Sequence, residues 1–372
     1  MLKRRLGYYI LGVISGILVL MIFQTLRKHY KTSHKRTLES AYLLTTRPTA
    51  HNAIPREGAY SGYNVLPNRP VLKVKFINSA LRTVQPEDAR LPMIHDILAE
   101  KYNLQYSNDN YDILMLSFDK YDPIPPKQHN VVSIYHTIES YVGNPKPYLD
   151  NIDLVMGFDF IEKDNYIRRP YAYAFIPDAA NKMRHDYKRP GRCKPSQHPY
   201  FACFLVSNHG DWFPEISDGV AARDRIFHKL SLYKKVMSGG KHLNNIGEAV
   251  KYEDTEQWLS QCKFIIAYEN TLNYPGYITE KPYQAWFAGG VPIYNAHASV
   301  LSDINPKAML FAGDFKSEDE FVEYIKKVDN DDDLYCKIWN EQIITDPSKD
   351  YNVLEDKIRK KLFELVEQKV KK

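Results

Sequence analysis

Apolar positions in this chain fall into two alternating patterns. Short, largely apolar runs at 71–77, 113–118, 131–135, 154–158, 201–206, 263–268, 291–294 and 307–311 read as strands. Between and after them lie stretches with helical spacing at 93–102, 317–328 and 334–344. A further helix begins at Arg223, carries Ile226, Phe227, Leu230 and Tyr233 on one side, and ends near the Ser238-Gly239-Gly240 stop. A last helix carries Leu354, Ile358, Leu362 and Leu365, and its apolar face is expected to pack on the fold rather than on a membrane. Strands alternating with helices predict parallel α/β sheets.

The densest expression of the pattern is the stretch from Phe264 to Tyr294. A strand leads into a loop punctuated by Asn270, Asn273, Pro275 and Gly276, then into a helix with Thr279 as N-cap, Glu280, Lys281 and Pro282 in its first turn, and Gly289-Gly290 as its stop. A strand returns at 291–294. In such sheets ligands sit beyond the carboxyl ends of strands, where a helix start suits an anion. Asn270, Tyr277, Glu280 and Lys281 all fall at that edge.

The amino-terminal part has a different pattern. After a short tail (1–6), residues 7–26 form an almost uncharged apolar run, flanked by Lys3, Arg4 and Arg5 on one side and Arg27 and Lys28 on the other, and are expected to be a transmembrane signal anchor. Positive charge on both flanks leaves the orientation open. Residues 27–70 are polar, contain Pro48, Pro55 and Pro67, and read as a stem. Two domains follow, at 71–186 and 200–350, joined by a Lys/Arg/Pro-rich linker at 187–199 and followed by an amphipathic helix at 351–372.

Composition adds limits. A chain of 372 residues, 44% hydrophobic and 26% charged, is globular in character. Its net charge of +5 is concentrated at the chain ends, so no nucleic-acid surface is expected. The four cysteines show no zinc spacing; Cys193 and Cys203 either bridge in an oxidising lumen or are ordinary buried thiols. The acidic run Asp329 to Asp333 reads as a solvated turn between helices, not a metal site.

Candidate chemistry collects at strand ends. Glu139 follows the 131–135 strand and is placed as a catalytic carboxylate, with His136 beside it; either is also compatible with a merely solvated or satisfied side chain. Arg223, at a helix start where the dipole disfavours a cation, is either an exposed partner of Asp224 or a phosphate clamp.

These stretches resemble the family 10 α1,3/4-fucosyltransferases. Ile134-Tyr-His-Thr-Ile-Glu-Ser140 is similar to the segment with the family's proposed base. Val206-Ser-Asn208, then Arg223 and Tyr233-Lys-Lys-Val-Met-Ser-Gly-Gly240, resemble the donor-binding segment, and Tyr268-Glu-Asn-Thr271 with Gly276-Tyr-Ile-Thr-Glu-Lys281 resemble the family signature. Gly290-Val-Pro-Ile-Tyr294 and Asp314-Phe315 complete the order. Tyr268 stands where the family commonly has Phe, the loop before Tyr277 is a residue longer than in bacterial relatives, and Pro282 interrupts the signature helix. On the acceptor side only the Glu139 segment and Tyr166-Ile-Arg-Arg-Pro170 match.

The resemblance implies two Rossmann-like domains facing a cleft, the GT-B arrangement, with acceptor bound by the first and donor by the second. It implies inverting transfer of L-fucose from GDP-β-L-fucose to a GlcNAc-containing glycan or glycoprotein, in a Golgi-like membrane with the catalytic domain lumenal. Glu139 would be the base, Arg223 and Lys281 would neutralise the diphosphate, Glu280 would accept from donor hydroxyls, and Asn270 and Tyr277 would position the nucleotide sugar. No cofactor and no catalytic metal is required, though stimulation by a divalent metal stays open, as do the acceptor and the choice between α1,3 and α1,4 linkage. Two alternatives stand beside this reading: another nucleotide-sugar glycosyltransferase of the same architecture, and a non-catalytic membrane-anchored glycan-binding protein.

Overall fold

The computed structural model describes residues 66–77, 92–107, 109–117, 126–137, 145–174, 176, 178–207 and 217–370. The expected anchor at 7–26, almost all of the stem, and Glu139 lie outside the described residues. No helix among the described residues is long and apolar enough to cross a membrane.

Two parallel sheets carry the fold. The first contains β1 (Val71–Ile77), β2 (Asn103–Tyr106), β3 (Ile113–Ser117), β4 (Val132–His136), β5 (Leu154–Gly157) and β6 (Tyr166–Arg168), in the order β2-β1-β3-β4-β5-β6. Leu72, Val74 and Phe76 alternate into one face, where they meet Ile94 and Ile97 of helix α1 (Pro92–Ala99). The second contains β7 (Tyr200–Phe204), β8 (Val236–Ser238), β9 (Cys262–Ile266), β10 (Val291–Tyr294) and β11 (Leu310–Phe311), in the order β11-β10-β9-β7-β8. Each sheet starts in its interior and winds outward both ways. In the second sheet the direction of winding therefore reverses between β7 and β9, the address at which open α/β sheets bind ligands.

The connecting helices are α2 (Ala179–Lys182), α3 (Ser217–Ser231), α4 (Thr255–Leu259), α5 (Lys281–Phe287), α6 (Glu318–Asp329), α7 (Asp332–Trp339) and α8 (Tyr351–Lys369). Helix α6 has the expected cap: Ser317 Oγ accepts from Glu320 N at 3.2 Å, and the Glu320 carboxylate accepts from Lys316 N at 3.1 Å. Helix α8 follows the second sheet in sequence but packs on the first. Its Ile358, Leu362, Leu365 and Val366 share a core with Val132 and Ile134 of β4.

Several expectations are corrected. Helix α3 begins at Ser217, so Arg223 sits inside it rather than at its start. The dipole argument for Arg223 therefore falls. The same helix ends at Ser231, because Val236 to Ser238 pairs as an edge strand on β7. Expected helix 334–344 is α7, ending at Trp339, and the expected 307–311 strand shrinks to Leu310–Phe311 behind a 3₁₀ turn.

Asp329 is not a solvated turn residue. It is buried, with Lys263 Nζ donating to its carbonyl at 2.7 Å and lying 3.1 Å from Oδ1, while Lys234 and Tyr233 donate to Oδ2. The cysteines pair as Cys193 with Cys336 and Cys203 with Cys262, so the considered Cys193 to Cys203 bridge is replaced by two longer-range links. The first link ties segment 187–199 to α7. Arg189 in that segment lies 4.3 Å from the Trp286 ring and 4.9 Å from the Trp339 ring, and burial lowers its guanidinium to about 9.

Candidate functional site

A cleft of about 90 Å³ opens at the carboxyl ends of β7 and β9. Phe204 and Val206 form one wall, Tyr268 another, and Arg223 from α3 with Glu280 and Lys281 from the start of α5 bring its charge. Three of the residues expected at the donor site thus meet at the winding reversal of the second sheet. Asn270 and Tyr277 stand behind the cleft rather than lining it.

Arg223 is buried, only 3% exposed, and its Nη1 donates to Asn270 Oδ1 at 2.9 Å. Burial lowers its pKa, with Asp224, Tyr277 and Glu269 opposing that shift, and a guanidinium starting so high remains charged. Asp224 pairs with His242 Nε2 at 2.9 Å and also helps keep Arg223 charged. Helix α3 can come this close to the loop after β9 because its first turn contains Gly219. A Cβ there would lie 2.1 Å from the carbonyl oxygen of Asn270.

The centre of the site is a residue to which the sequence reading assigned no role. Glu269, three residues past the end of β9, is fully buried. It accepts from Thr279 N at 2.8 Å, Thr279 Oγ1 at 2.7 Å, Tyr294 Oη at 3.2 Å and Lys281 Nζ at 3.2 Å. Lys281 Nζ also donates to Thr279 Oγ1 at 3.0 Å. Thr279 Oγ1 donates to Glu269 and accepts from Lys281 N at 3.4 Å, while Glu280 occupies the cap position of α5, without a side-chain cap bond of its own. A carboxylate just past a buried strand was the available signal; its partners ten to twenty-five residues away were not.

Glu280 has the opposite environment. Its Oε2 is screened from solvent and has no hydrogen-bond partner among the described residues. Burial raises its carboxyl pKa, Lys281 opposes the shift and Glu269 adds to it. An acceptor kept without a donor inside a cleft has capacity for an incoming hydroxyl.

Tyr277 is 1% exposed and packs edge-on against Phe158 of the first domain, ring centroids 5.2 Å apart. Tyr268 is also buried, and its hydroxyl lacks a partner among the described residues. His136 is buried beside Arg169, whose Nη1 lies 3.1 Å from Nε2 and whose pKa burial lowers to about 10. Among the described residues no group of three or more His, Cys, Asp or Glu is placed to hold a metal ion.

Residues 196–362 match the profile described as "Glycosyltransferase family 10 (fucosyltransferase) C-term". An alpha-(1,3)-fucosyltransferase, FucT, of Helicobacter pylori is 30% identical over 218 residues, covering 53% of this chain and 44% of that protein. The human 4-galactosyl-N-acetylglucosaminide 3-alpha-L-fucosyltransferase 9 is 31% identical over 140 residues, 37% of this chain and 36% of the relative. The chain thus spans less than half the length of these curated relatives. A crystal structure of an alpha1,3-fucosyltransferase with GDP-fucose superposes with a TM-score of 0.60 at 25% identity, covering 80% of this chain and 91% of that one. The two-sheet α/β fold is thereby shared with that structure, and residues 196–362 match glycosyltransferase family 10, the fucosyltransferases.

Proposed function

We propose that this chain is an inverting α1,3-fucosyltransferase that moves L-fucose from GDP-β-L-fucose to a GlcNAc-containing glycan. The observation that carries the reading is the presence, in one cleft, of a buried guanidinium on Arg223 and a screened carboxylate oxygen on Glu280 that has no hydrogen-bond partner among the described residues. The first suits a diphosphate and the second a sugar hydroxyl. A relative's structure with GDP-fucose bound supports the donor assignment.

In this reading Glu139 takes the proton from the attacking acceptor hydroxyl while that oxygen bonds to the anomeric carbon of fucose. The bond from that carbon to the diphosphate breaks on the opposite face, and GDP leaves with its growing charge met by Arg223 and Lys281. Asn270 and Tyr277 act from behind the cleft, Asn270 by orienting Arg223 and Tyr277 by fixing the loop. Residues 7–26 anchor the chain with its catalytic part in an oxidising, Golgi-like lumen, a placement supported by the two cysteine pairs.

The test is incubation with GDP-fucose and a panel of N-acetyllactosamine, type 1 chain and N-glycan-core acceptors, with product linkage and anomeric configuration determined. An α1,3-linked fucose on GlcNAc is expected, and Glu139→Gln is expected to abolish its formation. Transfer from GDP-mannose in preference to GDP-fucose, or glycan binding without GDP release, would overturn the reading.

A further inference from the structure

The loop that leads from Asn270 to Glu280 is held from two directions. Its own domain holds it through Glu269, and the first domain holds it through a separate set of contacts. Arg168, at the end of β6, forms a two-pronged pair with Asp303, Nη1 to Oδ1 at 2.6 Å and Nη2 to Oδ2 at 2.7 Å. The same Nη2 donates to the carbonyl oxygen of Gly276 at 3.1 Å. The Phe160 ring lies 4.2 Å beneath the guanidinium.

Gly276 is fixed at every atom it has. Its amide donates to Ser299 Oγ at 2.8 Å, its carbonyl accepts from Arg168, and its φ of +82° is the left-handed conformation that favours glycine. A Cβ there would lie 2.3 Å from the carbonyl oxygen of Phe158, so the backbones of the two domains touch at this point. On either side of Gly276, Tyr274 Oη donates to Asp159 Oδ1 at 3.1 Å, and the rings of Tyr274 and Tyr277 both stand edge-on to Phe158. Glu280 and Lys281 follow Gly276 after Tyr277, Ile278 and Thr279.

We propose that Arg168, although it belongs to the acceptor-side domain and lies outside the donor cleft, is a positioning residue for the nucleotide sugar. Its fork sets Gly276, and Gly276 sets where Glu280 and Lys281 stand in the cleft. A lysine keeps the charge but cannot bridge Asp303 and the Gly276 carbonyl with one planar group. Arg168 is 18% and Asp303 2% exposed at the side chain, so the pair is shielded enough to hold a fixed geometry. This inference rests on the reading of the cleft as the donor site.

The experiment measures GDP affinity by calorimetry, and KM and kcat for GDP-fucose at saturating acceptor, on the full chain carrying Arg168→Gln, Arg168→Lys or Tyr274→Phe. Arg168→Gln is expected to weaken GDP about tenfold, the loss of about 1.4 kcal/mol, and to raise the donor KM in step with kcat little changed. Arg168→Lys should recover only part of that loss, and Tyr274→Phe should show a smaller loss of the same kind. If Arg168 merely fastens the two domains together, the variants melt at lower temperature while the folded protein keeps wild-type GDP affinity, and the proposal is overturned. A rise in acceptor KM alone overturns it as well, since that would place Arg168 on the acceptor. Should Arg168→Gln fail to fold, Arg168→Lys and Tyr274→Phe decide, and unchanged GDP affinity in both overturns it. A wild-type chain that does not bind GDP removes the donor-site reading itself, whereas wild-type binding with unaffected variants removes only this inference.

Discussion

Replacing Glu269 by glutamine tests whether one buried carboxylate organises the cleft. The substitution keeps the shape of the side chain and removes its charge, so four donors that converge on two oxygens must share one oxygen and face an NH2 group. Breaking a buried ion pair by removing one partner costs about 3–5 kcal/mol. Lys281 is 24% exposed at its side chain, which lets water recover part of that, so a loss of about 2–3 kcal/mol is expected. Equilibrium urea unfolding of Glu269→Gln, Lys281→Met and the double variant measures it. The double variant should cost clearly less than the sum of the single ones, with a coupling of about 1–2 kcal/mol. A coupling below about 0.5 kcal/mol, the scatter of independent sites, would refute the claim that this pair holds the start of α5. Tyr294→Phe gives an internal scale, because it removes one neutral donor to Glu269 and should cost about 1 kcal/mol.

Three further outcomes follow from the same geometry. Arg223→Gln should weaken GDP binding in calorimetry by about a hundredfold, the scale of one or two charge-assisted hydrogen bonds, and Lys281→Gln by less, because the Lys281 charge is already matched by Glu269. Burial raises the Glu280 pKa, so its protonated form contributes stability that is present below about pH 4.3 and is lost as pH rises through the raised folded value. Donor hydroxyls need the ionised form, so GDP-fucose affinity should rise with pH across that window, and Glu280→Gln should flatten the profile. Cys336→Ser opens a link spanning 143 residues and should lower stability in denaturant unfolding by about 3–5 kcal/mol.

The elements legible in the sequence are those whose identity depends on neighbours along the chain. Val71 to Ile77 reads as a strand because its own alternation decides it, and α6 reads as a helix because Ser317 and Glu320 cap it locally. The edge strands Asn103–Tyr106, Tyr166–Arg168 and Val236–Ser238 are three or four residues long and exist through pairing with a neighbour already in place. The first two turns of α3 looked like loop because Gly219 weakens a helix; the reason for that glycine is the Asn270 carbonyl, fifty residues on. Asp329 looked solvated because Lys234 and Lys263 are distant in sequence. The site followed the same rule: Arg223, Glu280 and Lys281 could be named from motif order, whereas Glu269 acquires its importance from Thr279, Lys281 and Tyr294 arriving together.

The structure also separates two cations that motif order alone treats alike. Lys281 enters the cleft with its charge compensated by Glu269 at 3.2 Å, whereas Arg223 is oriented by the neutral amide of Asn270 at 2.9 Å. Arg223, held through Nη1 by Asn270 and kept charged by the nearby Asp224 and Glu269, and Lys281, held by Glu269, thus bring two differently anchored cations to the cleft. Asn270 gains its importance at this point, since its amide oxygen accepts from Nη1 and orients the guanidinium at the cleft.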